Sequence, residues 1–199
     1  MDKKPIFIAE IKTKSMFGFE SKYSRNTLID TALNYGDWIS VHTDPRFGGS
    51  FDDIYLLRKE TKKPILAKGF HAHNDDVRKA LDLGADYVLV VDRYIFGEHD
   101  LSKHVIYEVS NLNDDKFAWG EIIKASNNYK YCYNGRNLRT GIGKKYIGDY
   151  QQYRGKCKWL CGASLINKPE DVQTYYKDCD AFIVGENLVQ FCKEYKNII

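Results

Sequence analysis

Short apolar runs alternate with segments of helical periodicity along the whole of this chain. Eight of the runs have the length and the β-branched or aromatic content of strands, and they lie at 5–12, 38–42, 64–68, 87–91, 104–109, 130–133, 158–161 and 181–184. No linker rich in Ser, Gly or Pro interrupts the alternation. The pattern therefore predicts one domain over residues 1–199.

The segments between the strands repeat their apolar residues at helical spacing. They predict helices at 25–35, 51–60, 75–83, 113–126, 144–153, 169–177 and 187–195. Capping residues mark several of the ends, with Ser24, Ser50 and Asn74 before helices, Gly36 and Gly84 after them, and Pro169 in a first turn. Between the fourth and fifth strands there is room for one or two turns only, so a shortened fourth helix is expected.

Strict alternation of strand and helix predicts a parallel sheet, and eight repeats are the number that closes into a (β/α)₈ TIM barrel. An open doubly wound sheet is the competing α/β fold, but no Gly-x-Gly-x-x-Gly motif follows the first strand. Catalytic groups of TIM barrels lie at the carboxyl ends of the strands. The residues at or just beyond these ends are Lys12, His42, Lys68, Asp92, Glu108, Asn134, Ser164 and Gly185.

Cations and carboxylates finish three of the predicted strands. Lys68 ends the third strand, Glu108 ends the fifth, and Glu10 and Lys12 stand two positions apart at the end of the first. Residues two apart on a strand point to the same face. If these strand ends meet at one rim, their charges are coupled, and such coupling adjusts pKa values for acid–base catalysis.

Composition narrows the classes of function. The chain has 30 Lys and Arg against 27 Asp and Glu, and the resulting charge of +3 is spread without long runs, which argues against nucleic-acid binding. The apolar run behind Met1 is too short for a signal peptide or a membrane span. The sequence therefore predicts a cytoplasmic protein without a membrane partner, whose Cys132, Cys157 and Cys161 are reduced, buried thiols.

Motifs at the strand ends resemble the indole-3-glycerol-phosphate synthase family. The family's Ala-Glu-x-Lys-x-x-Ser, Lys-Asp-Phe, Glu-Val-His and Asn-x-Arg motifs are similar to Ala9-Glu10-Ile11-Lys12-Thr13-Lys14-Ser15, Lys68-Gly69-Phe70, Glu108-Val109 and Asn134-Gly135-Arg136. The resemblance covers nearly the whole chain. It implies a TIM-barrel lyase of tryptophan biosynthesis that closes a ring on an arylamino-deoxyribulose phosphate with loss of carbon dioxide, without a cofactor or a metal.

The resemblance also implies roles for the matched positions. Lys68 matches the general acid that protonates the substrate carbonyl, and Glu108 matches the carboxylate that transfers a proton during dehydration. Glu10 and Lys12 match the charged pair at the substrate's carboxylate and hydroxyl groups. Other cations and a partly dry site are expected to disfavour the ammonium of such a lysine, so that it can give up a proton near neutral pH. The implied substrate-binding positions are Ser15, Phe70, Asn134, Arg136, Ser164 and Gly185.

Several positions depart from the family's pattern. Ala163 and Leu165 replace the glutamate and the glycine of the seventh-strand Glu-Ser-Gly motif, and Gly185-Glu186-Asn187 replaces the phosphate-binding Gly-Ser-Ser. Glu186 suits the amino end of a helix but would repel a phosphate dianion. Gly69 replaces the usual aspartate, and the first strand begins without the family's amino-terminal extension of some tens of residues.

These departures leave alternatives open. One is a barrel that binds a small molecule without turnover, and another is a related enzyme whose substrate has no phosphate. His42, His71 and His73 could form a three-histidine metal site, although two histidines in a loop are more often solvated. Phe17 and Phe19 lie in the long first loop, where a lid would sit. The sequence does not decide between a monomer and a homodimer.

Overall fold

The computed structural model describes residues 4–91, 99–110, 130–136 and 157–195. In this part of the chain, eight parallel strands close into a barrel in sequence order, with β8 pairing to β1. The strands are β1 Ile6–Ile11, β2 Trp38–His42, β3 Ile65–Lys68, β4 Tyr87–Val91, β5 Val105–Ser110, β6 Lys130–Asn134, β7 Trp159–Ala163 and β8 Ala181–Val184. The predicted (β/α)₈ barrel is confirmed, and every strand lies within two residues of its predicted bounds.

Helices follow most of the described strands. They are α1 Arg25–Tyr35, α2 Asp52–Glu60, α3 Asn74–Asp82, the single-turn α4 His99–Ser102, α5 Pro169–Tyr175 and α6 Leu188–Tyr195. The predicted bounds of α1 are confirmed, Pro169 does begin a helix, and α4 is short as expected. The helices predicted at 113–126 and 144–153 lie outside the described residues.

Two helices begin differently from the prediction. Ser50 and Asn74 were expected as N-caps, but the residues that cap α2 and α3 are Phe51 and His73. Carboxylates in the first turn of each helix accept hydrogen bonds from the backbone N–H groups at its start. Asp53 accepts from the N–H of Ser50 at 2.7 Å, and Asp76 accepts from the N–H of His73 at 3.0 Å. A first-turn carboxylate thus satisfies a backbone N–H at or just before the start of each helix.

Gly36 ends α1 for a reason that the sequence did not suggest. Its φ is −68°, so it does not use the left-handed conformation that a helix-terminating glycine usually supplies. A Cβ atom at this position would lie 2.6 Å from the carbonyl oxygen of Trp38 and 2.8 Å from Cβ of Ala9. Gly36 is therefore required by the close approach of the chain to β1 and β2.

Alternation along the strands positions the functional residues. Ile8, Leu66, Ile106 and Cys132 are fully or almost fully buried inside the barrel, in a cluster separate from the one between strands and helices. Residues two positions later on the same strands point to the same face, nearer the carboxyl end. These are Glu10, Lys68, Glu108 and Asn134. The apolar interior thus forms the floor beneath a group of polar side chains.

No helix in the described ranges has the length and hydropathy that a membrane crossing requires.

Candidate active site

A cleft of about 740 Å³, open to solvent, lies at the carboxyl ends of the strands. Nine of the ten site residues expected from the sequence line it. These are Glu10, Lys12, Lys68, Phe70, Glu108, Asn134, Arg136, Ser164 and Gly185. The position of the cleft is the one that TIM-barrel enzymes use for catalysis.

Lys68 and Glu10 form a buried ion pair at the bottom of the cleft. Nζ of Lys68 lies 2.9 Å from Oε1 of Glu10, and the two residues are 8% and 5% exposed. Nε2 of His42, at the end of β2, lies 3.0 Å from the same carboxylate oxygen. Because an ionised carboxylate only accepts hydrogen bonds, Nε2 is the protonated nitrogen of His42. Glu10 thus receives hydrogen bonds from both neighbours.

The electrostatics of this pair correct one expectation. Burial disfavours the Lys68 ammonium, but the carboxylates of Glu10 and Glu108 outweigh burial, and the pKa of Lys68 is raised. Burial also opposes the charge on Glu10, but Lys68 and His42 hold the pKa of Glu10 well below its usual range. The prediction that neighbouring cations disfavour the Lys68 ammonium is therefore wrong, because carboxylates and not cations dominate its surroundings. Lys68 is therefore an ammonium at neutral pH.

His42 is the site residue whose role the sequence did not reveal. Burial lowers the pKa of His42, and the opposing effect of Glu10 does not restore it, so its ring is neutral. The ring stacks on Phe47 with a centroid distance of 4.5 Å. The sequence signal for such a role was the position of His42 at the end of β2. A side chain that points inward from the last residue of a strand lies beside the other residues of the rim.

Asn134 orients Glu108. Its Nδ2 donates a 2.8 Å hydrogen bond to Oε1 of Glu108, and its Oδ1 accepts a 2.9 Å bond from the backbone N–H of Arg136. Glu108 and Asn134 are both 3% exposed. The amide of Asn134 is fixed at both ends, so the carboxylate of Glu108 is held in one orientation beside Lys68.

Glu186 pairs with two cations across the mouth of the cleft. Its Oε1 lies 2.9 Å from Nζ of Lys12, and its Oε2 lies 3.4 Å from a guanidinium nitrogen of Arg136. The sequence suggested either a helix-terminal acid or a group that repels phosphate. Glu186 does precede α6, but its carboxylate is directed at cations from β1 and from the end of β6.

The three histidines do not converge on one site. His71 is buried with Nδ1 2.7 Å from the carbonyl oxygen of Leu89 and Nε2 3.0 Å from Oγ1 of Thr43, whereas His73 is exposed. Among the described residues no group of three metal-ligating side chains is present. A Cβ atom on Gly69 would collide with Oγ1 of Thr43. The loss of the family's aspartate at this position therefore leaves room for the contact between Thr43 and His71.

Ser15 organises the first loop and does not line the cleft. Its Oγ accepts hydrogen bonds from the backbone N–H groups of Phe17 at 3.2 Å and Phe19 at 3.3 Å, and its own N–H donates to the carbonyl of Phe19 at 2.8 Å. The tight turn directs Phe17 into the cleft. Ser15 thus fixes the backbone of this turn.

The ends of β7 and β8 carry the remaining departures from the family. Ala163 is fully buried, and Ser164 and Leu165 have φ values of 66° and 60°. Leu165 therefore keeps a left-handed conformation that glycine would adopt without strain, at a cost of about 1 kcal/mol. A Cβ atom on Gly185 would collide with the carboxylate of Glu10. Gly185 is needed to leave Glu10 its place beside Lys68.

A closed eight-stranded barrel with a cleft at the carboxyl ends of its strands is the architecture of TIM-barrel enzymes. The family model described as indole-3-glycerol phosphate synthase matches residues 1–113. The chain belongs to the indole-3-glycerol phosphate synthase family, which confirms the resemblance seen in the motifs.

Curated relatives agree with this assignment, and a solved structure shows the same fold. The chain is 32% identical to the tryptophan biosynthesis protein TrpCF of Vibrio parahaemolyticus, a match that covers 94% of this chain and 41% of that protein. It is 28% identical to an indole-3-glycerol phosphate synthase of Sulfurisphaera tokodaii, covering 100% and 84%. A mutant tryptophan synthase alpha-subunit of Pyrococcus furiosus has the same fold, with a TM-score of 0.63, 14% identity and coverage of 98% and 92%.

Proposed function

We propose that this chain is a decarboxylating lyase of the indole-3-glycerol-phosphate synthase type. It converts carboxyphenylamino-deoxyribulose phosphate into indole-glycerol phosphate, carbon dioxide and water. The observation that supports this most is the Lys68 ammonium at the bottom of the cleft, 2.9 Å from Glu10. The carboxylates of Glu10 and Glu108 raise the pKa of Lys68 against the effect of burial. The named synthases among the relatives favour turnover over a barrel that only binds.

Ring closure uses Lys68 as an acid. The ring carbon that bears the substrate's carboxylate bonds to the ketone carbon, and the ketone oxygen takes a proton from Nζ of Lys68. A strongly held proton suits this step, because it moves only once the oxygen has become an alkoxide, and the ammonium stabilises the developing charge before that. Carbon dioxide then leaves, and the electron pair of its bond restores the aromatic ring.

Dehydration uses Glu108. It removes a proton from the carbon adjacent to the one that bears the new hydroxyl and passes this proton to the hydroxyl, which leaves as water while the carbon–carbon double bond forms. The proton that Glu108 gains balances the proton that the water carries away. Lys68 regains its proton from solvent, and one proton is consumed for each carbon dioxide released. Asn134 supports this role because it fixes the carboxylate in one orientation.

The remaining residues of the cleft hold the substrate. Lys12 and Arg136 supply positive charge for its anionic groups at the mouth, and Glu10 with His42 keeps Lys68 in place. Phe70 is exposed and provides an apolar surface for the aryl ring in the cleft that Phe17 also lines. Ser164 and Gly185 contact the substrate through their backbone, at the end remote from the aryl ring.

Indole formation measured by fluorescence tests the proposal. The wild type is expected to release indole-glycerol phosphate from carboxyphenylamino-deoxyribulose phosphate, and Lys68→Ala is expected to lose at least about a thousandfold in kcat. Lys62→Ala is the matched control, because Lys62 is exposed in the loop before β3 at the opposite end of the barrel. Thermal melting of each variant shows whether it is folded. A folded wild type that makes no product contradicts the proposal.

A further inference from the structure

The carboxylate of Glu186 forms ion pairs with the two cations that face the mouth of the cleft. It lies 2.9 Å from Lys12 and 3.4 Å from Arg136, and its side chain is 30% exposed. Lys12 and Arg136 are 12% and 20% exposed. These contacts are closer to solvent than the buried pair of Glu10 and Lys68, so they can open without exposing the barrel interior.

The charges of the described residues that line the cleft are balanced. Among the described residues that line it, three are cationic, namely Lys12, Lys68 and Arg136, and three are carboxylates, namely Glu10, Glu108 and Glu186. Lys68 is held by Glu10, which leaves Lys12 and Arg136 as the cations that a substrate anion can approach. Glu186 competes directly for both of them.

We propose that Glu186 determines specificity at an anion subsite formed by Lys12 and Arg136, where it acts as an internal counter-anion that the anionic group of the substrate must displace. This inference rests on the proposed function for the identity of the substrate. Two cations 2.9 and 3.4 Å from one carboxylate form a site that also fits a phosphate or a second carboxylate. Displacing Glu186 into solvent lowers the apparent affinity for any such group.

Aromatic rings keep the two cations in place when Glu186 leaves. Nζ of Lys12 lies 5.6 Å from the ring centroid of Phe19 and 5.7 Å from that of Phe47. The guanidinium carbon of Arg136 lies 5.6 Å from the ring centroid of Phe17. These are cation–π distances, and they do not depend on Glu186. A variant without the carboxylate therefore retains the subsite and loses only the internal counter-anion.

Two anionic probes test the inference without requiring turnover. Inorganic phosphate and benzoate are titrated by calorimetry into the wild type, Glu186→Gln and Glu186→Ser. We expect both variants to bind at least one of the two probes about tenfold more tightly than the wild type. Glu194→Gln is the matched control, since it removes the same charge at the far end of α6 and is expected to bind like the wild type. Unchanged affinity for both probes in both variants overturns the inference.

Steady-state kinetics separate this inference from the proposed function. In Glu186→Gln the fall in KM is expected to exceed any change in kcat. The same measurement with carboxyphenylamino-deoxyribulose, which lacks the phosphate, identifies which anionic group of the substrate the subsite holds. An effect confined to the phosphorylated substrate assigns the subsite to phosphate, and an equal effect on both assigns it to the carboxylate. If the wild type makes no product, the titrations still test whether Glu186 competes with anions for the subsite. If the wild type is active but neither KM nor probe affinity changes in the variants, the inference alone fails.

Discussion

The ammonium of Lys68 lies 2.9 Å from the carboxylate of Glu10, although the two residues come from strands that are not neighbours in the sheet. They meet because alternate strands of a TIM barrel direct side chains into the same interior layer. β5 adds Glu108 from its own carboxyl end, and on β7 the corresponding residue is the small Ala163. The lysine is therefore surrounded by carboxylates, and this keeps it charged.

Removing Lys68 is expected to destabilise the fold. Lys68→Met leaves Glu10 buried without its main counter-charge, and breaking a buried pair in this way costs about 3–5 kcal/mol. Urea unfolding of Lys68→Met, Glu10→Gln and the double variant measures the coupling. The double variant is expected to be more stable than the sum of the single losses predicts. Additive losses would contradict the close coupling that the structure shows.

Stability is expected to fall in acid through His42. The ordinary pKa of histidine is 6.5, and that of His42 is lowered in the folded chain. Below pH 6.5 the unfolded chain binds a proton that the folded chain does not, so stability falls as the pH drops towards the folded pKa of His42. Glu10, whose pKa is held low, adds a second loss that becomes large as the pH falls through about 4.3, where an unperturbed glutamate is half protonated.

Urea unfolding between pH 7 and pH 5 tests the contribution of His42. His42→Phe removes the proton-binding group and is expected to show a flatter dependence on pH, although it is less stable at pH 7 because Glu10 loses a hydrogen bond. His73→Gln, at an exposed position, serves as the control and should keep the wild-type slope. An identical slope in His42→Phe and the wild type would show that another group is responsible.

Asn134 is expected to matter for rate more than for binding. Asn134→Leu removes the 2.8 Å hydrogen bond to Glu108, so the carboxylate loses its fixed orientation, and kcat is expected to fall about a hundredfold. Asn26→Leu, on the exposed face of α1, is the control. Steady-state kinetics measure both variants. A change in KM alone would place Asn134 among groups that only bind substrate.

A side chain at position 185 is expected to disturb the site as long as residue 10 is a glutamate, because the two would collide. Gly185→Ala places a methyl group against the carboxylate of Glu10, which moves away from Lys68 and His42. Both stability and kcat are expected to fall. Glu10→Asp shortens the side chain by one methylene, so the double variant should melt at a higher temperature than Gly185→Ala alone. A double variant that is less stable than Gly185→Ala would rule out this steric explanation.

The sequence predicted the barrel and most of the cleft because both depend on local patterns. The apolar runs locate the strands, and the period of two places Glu10, Lys68 and Glu108 on inward faces near one rim. What the sequence did not predict depends on contacts between distant segments. The pairing of Glu186 with Lys12 and Arg136, and the proximity of His42 to Glu10, are set by how strands meet around the barrel.

The pKa of Lys68 could not be predicted for the same reason. Burial alone lowers the pKa of a lysine, and nearby cations would lower it further. The outcome is reversed by two carboxylates whose distances the sequence does not contain. Ser15 shows a related limit, since its motif match does not reveal that its hydroxyl is used by the backbone of Phe17 and Phe19.

The charge state of Lys68 is the central claim, and an NMR titration of lysine side-chain nitrogens measures it directly. The signal of Lys68 is assigned by its absence in Lys68→Arg. It is expected to remain that of an ammonium from pH 6 to about pH 10, because Glu10 and Glu108 raise its pKa above the ordinary value. A signal that titrates to a neutral amine below about pH 8 would contradict the account.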